Sequence, residues 1–261
     1  MHRVTPRVFL VGETQVVQEG LAAFLTHAGV PEWTSDAPSD SERMVEVMGR
    51  LCYRSWEPGL NPNVTKVREH NSDYVANILK TAHGSVLEHA VLNFIFADVS
   101  RVFTHELVRH RVGTAFSQES LRYVRLEDLG LWLPTVIQED DVAVTIFAET
   151  FGQLEQLQLR LAAHFRLDDE GVPFSLKKVI TSAMRRIAPI GLATAIGFSA
   201  NIRTLRWLLQ LRTAPTAEEE IRLVFGQVGE ILVARYPNAF GDFTVTTVDG
   251  LPCYTAPNAK A

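Results

Sequence analysis

Two neighbouring stretches, HGSVLEH at residues 83–89 and SRVFTHELVRHRVGTAFSQESLRYV at residues 100–124, decide how the rest of the chain is read. Between them they gather His83, Glu88, His89, His105, Glu106, Arg109, His110, Arg111, Ser117, Gln118, Ser120, Arg122 and Tyr123. That density of titratable and hydrogen-bonding groups exceeds what a packed core needs and marks an active site. Ser100 reads as the N-cap of a helix in which Val102, Phe103, Leu107 and the aliphatic part of Arg111 recur at helical spacing. Arg109, His110 and Arg111 then crowd its C-terminal turn. Beyond it VGTAFSQES reads as an irregular loop and LRYVRL as a strand. Upstream, EHAVLNFIF reads as a strand buried on both faces, with Glu88 and His89 at its mouth.

Toward the N-terminus, PRVFLVGETQV reads as a short strand ending at Gly12, followed by a helix through Leu21, Phe24 and Leu25. A polar loop, TSDAPSDSERM, precedes a helix whose stripe is Met44, Val47, Met48 and Leu51. EPGLNPN is turn chemistry. The next helix, SDYVANILKTAHG, takes Ser72 or Asp73 as cap and stops at Gly84, which places His83 and Ser85 at an element junction. Toward the C-terminus, DVAVTIFAETFGQLEQLQLRLAAHF is a long scaffold helix, and VPFSLKKVITSAMRRIA is a helix up to Pro189. IGLATAIGFSA follows as a Gly- and Ala-rich strand, then IRTLRWLLQLR as a helix capped by Asn201. Thr216 and Glu219 form a capping box for a last helix to about Tyr236, and FTVTTVDGLPCYTAPNAKA reads as strand and then loose coil.

Composition bounds the function. At 261 residues, 46% hydrophobic and 21% charged, the chain is long enough to bury one good core. A net charge of -5 argues against a nucleic-acid polymer as partner, because such binding draws on many cationic phosphate contacts. Lysine occurs only at 66, 80, 177, 178 and 260. Positive charge is therefore mostly arginine, the side chain suited to forked recognition of phosphate, carboxylate or a base edge. Cys52 and Cys253 stand far apart with no CxxC pair, so a cytoplasmic location is expected. No run of eighteen apolar residues is present to span a membrane, and the N-terminal apolar run is too short for a secretory signal.

Each cluster also has a plainer reading. Arg109, His110 and Arg111 at a helix C-terminus meet the helix dipole favourably without any function. His83, Glu88 and His89 lack HExxH spacing, so no metal is expected. Ser117 and Ser120 near histidines suggest a serine hydrolase, yet GxSxG is absent and loop hydroxyls usually satisfy backbone groups. The helix from Asn201 to Arg212 in isolation is a capped surface helix with solvated arginines. With no GxGxxG and no GxxxxGK[ST], a nucleotide would be held by side chains and helix ends.

RHRVGTAFSQESLRY resembles the signature of flavin-dependent thymidylate synthases, an Arg-His-Arg triplet followed by a loop ending Ser-x-Arg-Tyr. HGSVLEH, MRRIAP, and NIRTLRWLLQLR followed by EIR resemble further blocks of that family, and GRLCYRS resembles a weaker first one; together they cover residues 44–222. The resemblance implies an α+β fold, a single compact domain over residues 1–261 with a central mixed sheet and long helices. Residues 1–42 are then a divergent N-terminal region and 240–261 a tail. It further implies a homotetramer with active sites between subunits, FAD as cofactor, and dUMP as substrate, with NADPH and methylenetetrahydrofolate as co-substrates.

Carried over by matching motif positions, the flavin side comprises His83, Ser85, Glu88, Arg109, His110, Arg111, Val112, Asn201 and Arg203. The pyrimidine nucleotide falls to Glu106, Arg109, Gln118, Glu119, Ser120, Leu121, Arg122, Arg185 and Arg212. The implied reaction is reductive methylation at C5 of a uracil ring, with the cofactors carrying the difficult steps. Arg212 is suited to stabilise negative charge at N3 and its flanking carbonyl, and Ser120, Arg122 and Arg185 suit the 5′-phosphate. No cysteine nucleophile is required.

Four departures from the family pattern stand out. The loop between Arg111 and Ser120 is one residue longer than usual, Glu106 replaces glutamine, Trp207 replaces asparagine or histidine, and Thr216 replaces histidine. The loop and Glu106 make UMP, a substrate of members in nucleoside-antibiotic pathways, the alternative to dUMP. A non-catalytic flavin- or nucleotide-binding relative is a further reading, against which the retained Arg212 argues.

Overall fold

The computed structural model describes residues 1–64, 66–123 and 125–259. In chain order its strands are β1 (His2–Arg3), β2 (Arg7–Glu13), β3 (Val91–Ser100), β4 (Thr114–Gln118), β5 (Gly130–Leu131), β6 (Ala193–Asn201), β7 (Thr244–Val248) and β8 (Leu251–Thr255). The helices are α1 (Gln18–His27), α2 (Asp40–Tyr53), α3 (Asn71–Lys80), α4 (Arg101–Leu107), α5 (Thr135–Gln138), α6 (Asp141–His164), α7 (Phe174–Met184), α8 (Ile202–Thr213), α9 (Glu219–Arg235) and α10 (Pro237–Phe240). Short 3₁₀ turns cover Gly84–His89 and Arg185–Ile187.

The fold is α+β. A four-stranded sheet has the order β2–β3–β6–β4, β1 pairs in parallel with β5, and β7 with β8 forms an antiparallel hairpin. Within the four-stranded sheet the pairings run antiparallel: Ala90 faces Ile202 while Asn93 faces Ser199, and Gly113 faces Asn201 while Glu119 faces Ala195. No helix of the described residues is long and apolar enough to cross a membrane.

The chain divides into two compact units. The first comprises Met1–Val8, Ile95–His110 and Phe116–Gly197, and the second comprises Phe9–Phe94, Arg111–Ala115 and the chain from Phe198 onward. In the first, Leu126, Leu129, Leu131, Leu133, Phe151 and Leu192 form a buried cluster beneath α6. Asp140 starts that helix by accepting from the amides of Val142 and Ala143. In the second, α8 and α9 pack on one another and on β8. Gly229 permits this, because a Cβ there would meet the Tyr254 ring. The β7–β8 hairpin closes through Asp249 and Gly250, both at positive φ, the Asp-Gly pairing that suits a two-residue turn.

Several local expectations differ from the structure. The helix α3 starts after His70 without a side-chain cap, and it ends at Lys80, with Ala82 at φ 54°, before Gly84. Gly84 instead opens the 3₁₀ turn, so Glu88 and His89 lie on that turn and not in a strand. The strand β3 buries one face, Leu92, Phe94 and Phe96, while Val91 and Ile95 on the other are partly exposed. VGTAFSQES forms a glycine turn and the strand β4, because residues 113 and 119 find ladder partners on β6. LRYVRL is not an extended strand: residues 121–123 turn, and Val124 lies outside the described residues. The cap of α9 is Glu218, accepting from Glu220 and Ile221 amides, in place of a Thr216–Glu219 box. The tail forms the β7–β8 hairpin, and its last residues, 260 and 261, lie outside the described residues.

The largest departure is on α2. The expected stripe of Met44, Val47, Met48 and Leu51 is only partly inside; the buried face holds Val45 and Val47 with Glu42, Glu46 and Arg50. Arg50 pairs with Glu46 at 2.6 Å, donates to the carbonyls of Ser55 and Arg68, and lies over the Tyr74 ring. Glu42 accepts from the backbone N–H groups of Asn238 and Ala239, and its burial raises its carboxyl above the ordinary range.

Candidate active site

The flavin-side candidates of the second unit are held together by α8. Asn201 accepts at its side-chain oxygen from Thr204 N–H at 2.8 Å, which fixes the helix start. Its own backbone N–H donates to the Gly113 carbonyl at 3.1 Å, and the Thr204 hydroxyl donates to the Val112 carbonyl at 3.0 Å. Gly113 has φ +69°, and a Cβ there would collide with the Asn201 amide, so glycine is required on both counts. These bonds pin the peptide that follows Arg111 against the start of α8. In the first turn of the same helix, Arg203 donates to Glu88 at 2.6 Å. Segments 83–89, 111–113 and 201–212, distant in sequence, therefore meet in this unit.

Burial is uneven across that group. Ser85, Glu88, Arg111 and Val112 are exposed, Val112 at 86%, while His83 and Arg203 are half-buried and Asn201 is buried. His83 places its ring 5.4 Å from that of Tyr53, edge to face, with the Tyr53 hydroxyl 3.5 Å from Nδ1. Trp207 is half-buried on α8. Arg206, on the helix expected to carry solvated arginines, is fully buried: it forks onto Asp242 at 2.7 Å through both terminal nitrogens and also donates to the Ala239 carbonyl. Arg212 lies in the last turn of the helix, half-buried.

In the first unit, α4 starts at Ser100, whose hydroxyl accepts from Phe103 N–H at 3.1 Å. It stops at Leu107, so Arg109 and His110 lie beyond its final turn, and Arg111 contributes nothing to its apolar stripe. The triplet therefore follows the end of the helix instead of forming its last turn. Glu106 is half-buried on α4 and Arg109 is exposed.

Gln118 ends β4 and donates from its side-chain nitrogen to the Thr104 hydroxyl at 3.0 Å. Glu119 follows and is anchored three ways: its N–H donates to the Ala195 carbonyl, its carboxylate accepts from Ala195 N–H at 3.0 Å and from the Thr194 hydroxyl at 3.3 Å, and its carbonyl accepts from Arg101 at 3.1 Å. The chain then turns: the Ser120 hydroxyl accepts from Arg122 N–H at 3.3 Å and its carbonyl from Tyr123 N–H. Leu121 packs against the leucine cluster, whereas the Arg122 side chain is exposed beside the Tyr123 ring.

Arg185 sits in the 3₁₀ turn after α7, exposed. Burial, with the positive charge of Arg185 adding to it, holds the Arg101 guanidinium below its usual range, against the opposing pull of Glu119. Arg101 and Thr104 were not singled out from sequence: each looks like an ordinary helix residue until β4 is seen beside α4.

The match to known proteins follows these blocks. The family model described as thymidylate synthase complementing protein matches residues 35–238. The flavin-dependent thymidylate synthase of Mycolicibacterium gilvum is 34% identical over 231 residues, covering 87% of this chain and 90% of that protein. That of Mycobacterium marinum is 34% identical over 256 residues, covering 97% and 96%. Two crystal structures share the fold. The UMP/dUMP methylase PolB from Streptomyces cacaoi, bound with 5-Br dUMP, has a TM-score of 0.64 at 16% identity over 92% of this chain and 96% of that one. Thymidylate synthase X from Helicobacter pylori, with FAD and dUMP, has 0.56 at 18% identity over 90% and 99%. With relatives matched end to end and the family model spanning the segments that meet on α8, the chain belongs to the flavin-dependent thymidylate synthases, enzymes of the methyltransferase class.

Proposed function

We propose that this enzyme binds FAD and converts dUMP to dTMP, taking reducing equivalents from NADPH and carbon from methylenetetrahydrofolate. The observation that carries the reading is the meeting on α8 of three distant segments, through Arg203 with Glu88 and through Asn201 and Thr204 with Gly113 and Val112. The donor set there fits FAD. Ser85 and Arg111 are exposed, as is Arg109 in the first unit, and hydroxyl and guanidinium donors suit a diphosphate. His83, His110 and Asn201 complete the flavin side. When bound, the flavin supplies hydride chemistry that no side chain provides.

The chain's own residues bind and orient the nucleotide. Ser120, Arg122 and Arg185 take the 5′-phosphate, while Glu106, Arg109, Gln118, Glu119 and Leu121 flank the nucleoside. Arg212 stabilises negative charge developing at N3 and its neighbouring carbonyl. UMP is the second reading, supported by Glu106 and by the extra residue between Arg111 and Ser120, a segment that forms the Gly113 turn and β4.

The whole of residues 1–261 serves as one functional domain, in a cytoplasmic homotetramer with active sites between subunits. Supporting assembly, α7 buries no residue and exposes Phe174 at 68% and Val179 at 66%, and α6 exposes Val142 and Ile146. Arg212→Ala tests the chemistry: flavin content stays at the wild-type level while turnover falls about 100- to 1,000-fold. Wild-type turnover in that variant refutes the role.

A further inference from the structure

Gln118 rests on a residue outside the nucleotide-side set. Thr104 is 1% exposed on α4, and its hydroxyl donates to the Arg101 carbonyl three residues earlier, at 3.2 Å. A hydroxyl carries one proton, so what Thr104 still offers is a lone pair. Only the nitrogen end of the Gln118 amide can meet it, and the nitrogen stands 3.0 Å away. With the reversed amide, two acceptors would face each other in a buried position. The backbone on the next residue is fixed as well, by the bonds between Glu119 and Ala195.

We propose that Thr104 is a positioning residue for the nucleotide: by holding the Gln118 nitrogen, it presents the Gln118 side-chain oxygen as an acceptor for a hydrogen-bond donor on the uracil nucleotide. No described residue donates to that oxygen. Without the Thr104 hydroxyl the amide turns freely and can offer N–H groups in place of the acceptor. The donor it reads is a sugar hydroxyl or the uracil N3–H. This inference rests on Gln118 belonging to the nucleotide site.

Calorimetric titration of the FAD-loaded protein with dUMP tests it. Thr104→Val removes the hydroxyl at constant shape and raises the dissociation constant about three- to tenfold, whereas Thr104→Ser stays within about twofold of wild type. In a Gln118→Met background, Thr104→Val adds no further loss. Titration with 2′,3′-dideoxyuridine monophosphate and with N3-methyl-dUMP identifies the donor, since the Thr104→Val penalty vanishes against the analogue that lacks it. Unchanged affinity in Thr104→Val, a penalty undiminished in the Gln118→Met background, or a penalty retained against both analogues overturns the proposal. Should Thr104→Val fail to fold, Gln118→Met alone carries the test: it weakens dUMP binding but does not weaken the analogue that lacks the donor. Wild-type binding with an unchanged Thr104→Val removes only this role, whereas a wild-type protein that binds no uracil nucleotide removes the proposed function with it.

Discussion

Arg203 on α8 and Glu88 on the 3₁₀ turn before β3 form an ion pair at 2.6 Å across 115 residues of chain. Both side chains remain open to solvent, 41% and 48% exposed, so the pair orders two functional segments more than it stabilises the fold. Glu88→Gln is therefore expected to cost at most about 1 kcal/mol in urea unfolding while reducing the flavin retained through purification. Visible absorbance per protein chain measures the second effect, and full retention would count against the pairing as a flavin-site device.

Glu46 and Arg50 behave differently. Their side chains are 1% and 2% exposed, and Glu46 also accepts from Ser35 and Asn71. Glu46→Gln leaves the buried guanidinium without its counter-charge, for an expected loss of about 3–5 kcal/mol. A urea midpoint close to wild type contradicts this.

That network also marks the limit of what the sequence could reveal. The cap of Asn201, the strand after Pro189 and the long helix α6 follow from local chemistry, and the residues that carry them are recognisable in isolation, whereas the Asp249–Gly250 turn lies in a tail that reads as strand and then loose coil. The buried face of α2 is not. Glu42, Glu46 and Arg50 look like solvent residues until Asn71, Asn238 and the Tyr74 ring supply partners from distant segments. For the same reason β4 resembles a loop. Its alternation is weak, and it becomes a strand through β6. At the candidate site the arginines are assigned roles only through the resemblance to the family's motif blocks, whereas Thr104 and Arg101 acquire meaning only from the position of Gln118 and Glu119.

Tyr74 gives a pH prediction. Its hydroxyl is buried, and burial pushes the phenol up to about 12, with Arg50 and the neighbouring Ser55 hydroxyl pulling the other way. A phenol raised in the fold leaves stability unaffected below its unfolded value near 10, and stability falls as pH rises toward about 12 because the unfolded chain ionises first. Tyr74→Phe removes that alkaline slope and costs little at neutral pH. Identical slopes for the two proteins would remove Tyr74 as the cause.

Arg122 is expected to act on affinity. Its side chain is exposed and the turn beneath it is held by the Ser120 hydroxyl. Arg122→Ala loses charge-assisted bonds to phosphate, about 1.5–3 kcal/mol or roughly 10- to 150-fold in the dissociation constant for dUMP, with the melting temperature nearly unchanged. An unaltered dissociation constant takes Arg122 out of the phosphate site.

The most direct test of the account is product formation. The FAD-loaded protein is incubated with NADPH, methylenetetrahydrofolate and either dUMP or UMP, and the nucleotide is weighed by mass spectrometry. The account predicts a FAD-dependent gain of one CH₂ at C5, with dUMP preferred, or with UMP comparable if Glu106 and the longer loop read the sugar. No methylated product from either nucleotide, in protein shown to hold FAD, contradicts it.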